Sequence, residues 1–221
     1  MDEFVVLSDI SSREFKDAMD IYLEAFPENE RQPLEKIEYR IEHKYYNLVV
    51  VKRDNTVVGF SLLYPFRDLH FALFDYLAIR KDYRNLGIGS KLFQETYQFF
   101  KMDTPSGFLL LEVEDPDCGS LSERSIRLRR VRLFERLGAR VITNFKYLLP
   151  PMSGAYPTKM LLMVYTGDGN VNITADTLRP ILITVYKEVY ERDVTDPYLE
   201  KMLKDLTDSS NIYMSERGKW K

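Results

Sequence analysis

Cysteine and histidine are scarce in this chain: its 221 residues include one cysteine, Cys118, and two histidines, His43 and His70. A lone thiol excludes an internal disulfide. Three scattered ligands give no Cys/His cluster with the spacing a structural zinc requires, so no metal is expected. Positive charge is not in excess either. With 31 Lys+Arg against 34 Asp+Glu the net charge is −3 and the pI is near 5.6, which gives no reason to expect nucleic acid as a partner. No apolar run approaches the ~18 to 20 residues that span a bilayer, and the opening Met1-Asp2-Glu3 lacks the basic, then apolar, character of a secretion signal. The expected location is the cytoplasm, with no membrane partner. Internal repeats and low-complexity runs are absent as well. What is present is 45% hydrophobic and 29% charged residues, the balance of a globular protein with one sizeable core.

Periodicity gives an order of elements. Residues 4–7 read as a strand, and Ser11-x-x-Glu14 as a capping box for a helix through Phe15, Met19, Tyr22 and Leu23 that ends near Pro27. A second helix over about 33–44 carries Leu34, Ile37 and Ile41 on one side. Residues 48–51 and 57–63 read as a hairpin around the polar turn 53–56, and strand 71–79 follows. Next come a helix, a strand over 108–114, and a helix from about Ser122, its expected N-cap, to Leu137, stopped by Gly138. Two more strands, about 140–149 and 159–165, are split by the loop 150–154. Thr166 to Asn170 reads as a linker. Beyond it, Leu178, Ile181, Leu182, Val185, Tyr186, Val189 and Tyr190 form a helical stripe with Pro180 in the first turn, and a last helix begins at Pro197 behind Thr195 or Asp196. Its buried side is Leu199, Met202, Leu203 and Leu206. These two helices either pack on the main domain, form a homodimer contact, or cap an acceptor site. The class is α+β.

One stretch organises the rest: Leu77-Ala78-Ile79-Arg80-Lys81-Asp82-Tyr83-Arg84-Asn85-Leu86-Gly87-Ile88-Gly89-Ser90. An apolar strand runs into a polar turn, and two glycines open a helix whose apolar positions are Leu92, Phe93, Tyr97 and Phe100. The first N–H groups of a helix have no intrahelical partner and sit at the positive end of its dipole, so such a loop is a seat for phosphate. Glycine lets the backbone approach an anion closely, and Arg84 adds a charged donor. A Walker loop needs Gly-Lys-Ser/Thr after four spacers and a dinucleotide fingerprint needs a third Gly or Ala. Here Gly87-x-Gly89 is followed by Ser90-Lys91-Leu92, and neither fits.

Arg84-Asn85-Leu86-Gly87-Ile88-Gly89 resembles instead the Gln/Arg-x-x-Gly-x-Gly/Ala loop of the GNAT acetyltransferases, with Leu77 and Ile79 as the apolar pair that precedes it. The element order through about residue 167 is similar too. The resemblance implies a GNAT-like domain over 1–167, with 168–221 as a C-terminal helical extension. It implies acetyl-CoA as co-substrate, its pyrophosphate held by the loop, residues 84–90. A backbone N–H near Leu77, Ala78 or Ile79 would meet the thioester carbonyl, with pantetheine running between strands 71–79 and 108–114, which splay apart.

Direct acyl transfer to an amine requires removal of a proton from an ammonium, a task for a carboxylate. Alternation places Asp75 with Leu77 and Ile79 on one face of the first strand, and Glu112 and Glu114 with Leu110 on one face of the second. These three carboxylates are the catalytic candidates, set against ion pairing for Asp75 and Glu112 and a solvated strand end for Glu114. Members of the family often carry a tyrosine four residues before a glycine as the acid for the leaving thiolate. Phe134 stands at that place before Gly138, and Arg127 and Arg130 replace an asparagine and an alanine often found upstream. Tyr147, Tyr156 or another of the fifteen tyrosines is the substitute acid, or the thiolate leaves unaided. Arg127, Arg129, Arg130, Arg132 and Arg136 make a basic helix, most of it expected to be solvated or acid-paired, with contact of some to the nucleotide phosphates of CoA as the alternative. Cys118, among acidic neighbours, is a poor nucleophile. The activity implied is transfer of an acetyl group from acetyl-CoA to a primary amine of a small molecule by direct attack in a ternary complex. A noncatalytic acyl-CoA-binding regulatory module and a protein or peptide amine acetyltransferase stay open as alternatives.

Overall fold

The computed structural model describes residues 1–151, 157–169, 173–206 and 212–216. They form two compact units, 1–109 and 110–221, and the fold is α+β with mostly antiparallel strands.

The first unit holds β1 (Asp2–Leu7), α1 (Arg13–Ala25), α2 (Leu34–Glu42), β2 (Asn47–Arg53), β3 (Thr56–Phe66), β4 (Phe71–Ile79) and α3 (Ile88–Asp103). Its strands lie in the order β1-β2-β3-β4, each antiparallel to the next. The β2–β3 connection is the two residues Asp54 and Asn55, both at positive φ (51° and 59°), the mirror-image turn whose twist suits a hairpin. The α1 cap is Ser12 and not the expected Ser11. The Ser12 hydroxyl accepts from Phe15 N at 3.1 Å, while the Ser11 hydroxyl and amide are both spent on Asp9. On the buried side of α1, Phe15, Ala18, Met19, Ile21 and Tyr22 pack toward β3 and β4. Ile88 and Leu92, at the start of α3, close onto Val49, Val51 and Val58, with Leu77 and Ile79 at the margin. That packing fixes where α3 begins.

The β3–β4 register contains a bulge. Leu62 faces Tyr76 and Leu63 faces Phe74, so Asp75 has no partner across the pair. A bulge re-aims a side chain and is common beside active sites.

Strand β5 (Phe108–Glu114) begins in the first unit and continues into the second, which adds α4 (Leu121–Leu137), β6 (Arg140–Val141), β7 (Tyr147–Leu149), β8 (Thr158–Tyr165), α5 (Ala175–Thr184) and α6 (Pro197–Asp205). Within it the order is β5-β8-β6, and β7 also pairs with β8. The α4 cap position is Ser120, two residues before the expected Ser122, and Gly138 ends the helix at φ 109° as expected. The strand expected over 140–149 is divided. Arg140 and Val141 pair with Val164 and Met163, Tyr147 faces Met160, and the intervening residues turn to the chain's tail: Thr143 N donates to Tyr213 O at 2.8 Å and Ser215 N to Val141 O at 2.7 Å. Pro180 lies in the second turn of α5, not the first, because Thr174 caps the helix and moves its start forward. Residues 185–189 continue α5 as a wider π turn. Asp196, not Thr195, caps α6, accepting from Tyr198 N at 2.9 Å and Leu199 N at 3.3 Å. Residues 152–154 of the predicted loop, Tyr156 and Asn170 lie outside the described residues. Among those described, no helix is long and apolar enough to cross a membrane.

Candidate active site

Strand β4 ends in a tied-down loop. Arg80 N donates to Val58 O at 2.9 Å, Tyr83 N to Arg80 O at 2.9 Å, and Arg84 Nε to Ile79 O at 2.8 Å. Arg84 thus braces the loop against the strand end as well as lying exposed on it. Asn85 and Gly87 both take positive φ (64° and 76°), and Gly87 is the N-cap of α3. Asparagine tolerates that conformation and glycine adopts it without Cβ strain. The first intrahelical bond is Lys91 N to Gly87 O at 3.2 Å, there is no side-chain cap, and the first turn carries no acidic residue. The amides of Ile88, Gly89 and Ser90 therefore stand at the positive end of a 16-residue helix with no partner supplied by the helix or its cap. Nothing lies within 4 Å of where a Gly87 Cβ would be, so the space beside this cap residue is open.

At the β4 bulge, Asp75 is partly buried, and its Oδ2 accepts from the Tyr46 hydroxyl and from Gln32 Nε2 at 3.0 Å. Arg40, 4% exposed, donates Nη1 to Gln32 Oε1 at 2.6 Å and to the Tyr46 hydroxyl at 3.2 Å. The Gln32 backbone is held in turn by Tyr22, whose hydroxyl accepts from Gln32 N at 2.7 Å and donates to Gln32 O at 3.1 Å. Loss of water lifts the Asp75 carboxyl from its ordinary 3.8 to about 6, against the pull of the Tyr46 hydroxyl, the Arg40 charge, Gln32 and Lys36. Burial and the Asp75 charge push the Tyr46 phenol well above its ordinary 10.0, so it stays a donor. Asp75 Oδ1 has no partner among the described residues and keeps solvent access.

In the second unit, Glu112 is bound by phenols: Tyr147 donates to its Oε1 and Tyr190, just past the π turn, to its Oε2. Glu114 is tied to α4, with Arg127 Nε at 3.5 Å and Arg130 in direct contact. Arg127 is buried. It also reaches Glu123 at 2.7 Å and the carbonyl of Cys118 at 2.6 Å, so these arginines serve the fold's own acids and carbonyls. Burial and Asp115 push the Cys118 thiol up, away from the thiolate.

From the sequence Gln32 and Arg40 carry no role, Tyr46 enters only as one of the fifteen tyrosines, and Tyr190 only as one of these and as a position of the C-terminal helical stripe. A signal for Arg40 did exist. It sits three residues after Ile37 and beside Ile41, on the apolar stripe of α2, where a charge needs a buried partner.

The profile of the acetyltransferase (GNAT) family matches residues 15–138, more than half of the chain and all of the loop. The chain belongs to the GNAT acetyltransferase family. Among solved structures, a GNAT-family protein from Bacteroides thetaiotaomicron is 22% identical at a TM-score of 0.71, covering 86% of this chain and 99% of that one. A GNAT family acetyltransferase from Elizabethkingia anophelis with acetyl-CoA bound is 17% identical, TM-score 0.51, over 75% and 97%. An aminoglycoside 6'-N-acetyltransferase complexed with coenzyme A is 15% identical, TM-score 0.57, over 74% and 96%. At these identities the likeness is one of fold. No curated protein matches the sequence. The match takes in Asp75, Glu112, Glu114 and Phe134, whereas Tyr147 and Tyr190 of this GNAT protein lie past its end.

Proposed function

We propose that this GNAT acetyltransferase moves an acetyl group from acetyl-CoA to a primary amine of a small cationic molecule, by direct attack in a ternary complex. The observation that carries this reading is Asp75, a carboxylate with one oxygen fixed, one open, and a proton affinity raised to about 6. A base of that strength is matched to working near neutral pH, and its charged form attracts an ammonium. Acetyl-CoA supplies the activated acyl carbon when bound. The amides of Ile88, Gly89 and Ser90 hold its pyrophosphate, Arg84 keeps the loop in place, and a backbone N–H at Leu77, Ala78 or Ile79 faces the thioester oxygen. Asp75 Oδ1 takes the ammonium proton. Glu112 has a phenol on each oxygen, an arrangement that suits holding a positive charge. Of the three carboxylates, Glu114, neutralised by two arginines, has the smallest role. We further assign 1–167 to the transferase domain, 168–221 to a helical extension, and the protein to the cytoplasm.

The test is thiol release from acetyl-CoA with benzylamine, spermidine, kanamycin and a lysine-containing peptide, for the wild type and Asp75→Asn. Thermal stabilisation by acetyl-CoA should survive in the variant while turnover falls by about 10²-fold or more. Near-normal turnover would remove Asp75 from the mechanism. Activity on the peptide alone would replace the small acceptor with a protein one.

A further inference from the structure

Asp75 is the end of a hydrogen-bond chain whose direction is fixed by chemistry. The guanidinium of Arg40 has only donors, so the Gln32 side chain must turn its carbonyl Oε1 toward it, at 2.6 Å. This leaves the Gln32 amide nitrogen, also a donor, facing Tyr46 at 2.9 Å and Asp75 at 3.0 Å. The Tyr46 oxygen therefore receives two hydrogens, from Gln32 and from Arg40, and its own hydrogen can go only to Asp75 Oδ2. Both groups that meet Oδ2 are obligatory donors. A proton cannot settle on that oxygen without facing another hydrogen, and the oxygen left for it is Oδ1.

We propose that Tyr46, Gln32 and Arg40 are positioning residues that select Oδ1 of Asp75 as the proton-accepting atom and set how readily it takes a proton. The inference rests on the reading of Asp75 as the base. Arg40 acts through the other two. Its guanidinium carbon lies 5.3 Å from the ring centres of both Tyr46 and Tyr64, and its charge polarises the hydroxyl and amide that meet the carboxylate. The other titratable groups that face Asp75 within this unit are Lys36 on α2, Tyr22 on α1 and Tyr76, its neighbour on β4. Lys36 favours the charged carboxylate, and the two phenols stay neutral because burial lifts both. Gln32 joins the chain to the segment between α1 and α2, since Tyr22 grips its backbone and Tyr76 donates to Glu30 O at 3.1 Å. The orientation of Asp75 therefore depends on how that segment is held.

The experiment is a carbon-13 titration of the aspartate carboxyls, with the Asp75 signal assigned by its loss in Asp75→Asn, in the wild type, Tyr46→Phe and Gln32→Met. Each of the last two removes a donor to the charged form while keeping the side chain's length, so each should raise the Asp75 midpoint by about one pH unit. Unmoved midpoints in folded variants would overturn the proposal, since a merely structural role lowers stability without touching the titration. The acid limb of the rate profile, measured with a panel amine that turns over, tests the underlying reading separately. If the carboxyl midpoint moves and the acid limb moves with it, both stand. A carboxyl midpoint that moves beside an unmoved acid limb leaves the positioning role intact and removes Asp75 as the base.

Discussion

Replacing Asp75 by Asn should make the protein more stable near neutral pH while cutting its turnover. The folded chain binds the Asp75 proton up to about pH 6, whereas an unfolded chain releases it near 3.8. Between those values the folded state carries more protons, so this group's contribution falls as pH rises and is lost in full above pH 6. The gap, at 1.36 kcal/mol per pH unit, comes to about 3 kcal/mol. Asparagine keeps an oxygen for the Tyr46 hydroxyl and the Gln32 amide and carries no charge. The measurement is urea unfolding of both proteins followed by circular dichroism at pH 4, 6 and 8. The variant's stability relative to wild type should climb by about 2.4 kcal/mol across that range, because the unfolded carboxyl is already partly ionised at pH 4, whatever the offset there. Other carboxylates titrate equally in both proteins and cancel. A difference that stays flat, or that falls as pH rises, would mean the Arg40 network holds Asp75 ionised at an ordinary proton affinity, refuting the burial argument.

Three further outcomes are expected. Gly87→Ala costs about 1–2 kcal/mol in thermal unfolding through backbone strain alone, because φ is 76° and no atom obstructs the new Cβ, and acetyl-CoA stabilises the variant less. Gly59→Ala places a Cβ 2.3 Å from Ile79 Cδ1 and 2.8 Å from the Ala78 carbonyl oxygen. It should cost about 1–3 kcal/mol and weaken acetyl-CoA binding in calorimetry by displacing Ile79, whose carbonyl Arg84 grips. Arg127→Met leaves Glu114 with one arginine and the Cys118 carbonyl without its donor. A loss of about 3 kcal/mol in denaturant unfolding is expected.

Much of this fold was legible because local chemistry and tertiary need agree. The Asp54-Asn55 turn, the Gly87 opening of α3, the Gly138 stop and the Asp196-Pro197 start each follow from residues that can do little else there. Ser11 and Ser12 show the limit: either hydroxyl could cap α1, and Asp9 decided by engaging one. The split of strand 140–149 was not legible, since the segment that draws Thr143 aside is seventy residues away in sequence. The same holds for the site. Alternation grouped Asp75 with Leu77 and Ile79, yet those two pack against Ile88 and Leu92 while Asp75 meets Gln32 and Tyr46, and neither the bulge that re-aims it nor the Gln32–Tyr46–Arg40 chain behind it has a local signature.

The tail pairing beside β6 has a consequence for solubility. Strand β6 ends the sheet order, and Tyr213, Met214 and Ser215 pair along its outer side and the residue that follows, through the Ile142–Met214 bridge and the two bonds between Val141 and Ser215. Those residues do for the sheet what a hem does for cloth: they occupy the last row of free amides and carbonyls. A chain cut back to residue 206 would keep β6 but bare that row, and an uncovered row of backbone donors and acceptors recruits other chains. Loss of the tail would therefore register as self-association at high protein concentration.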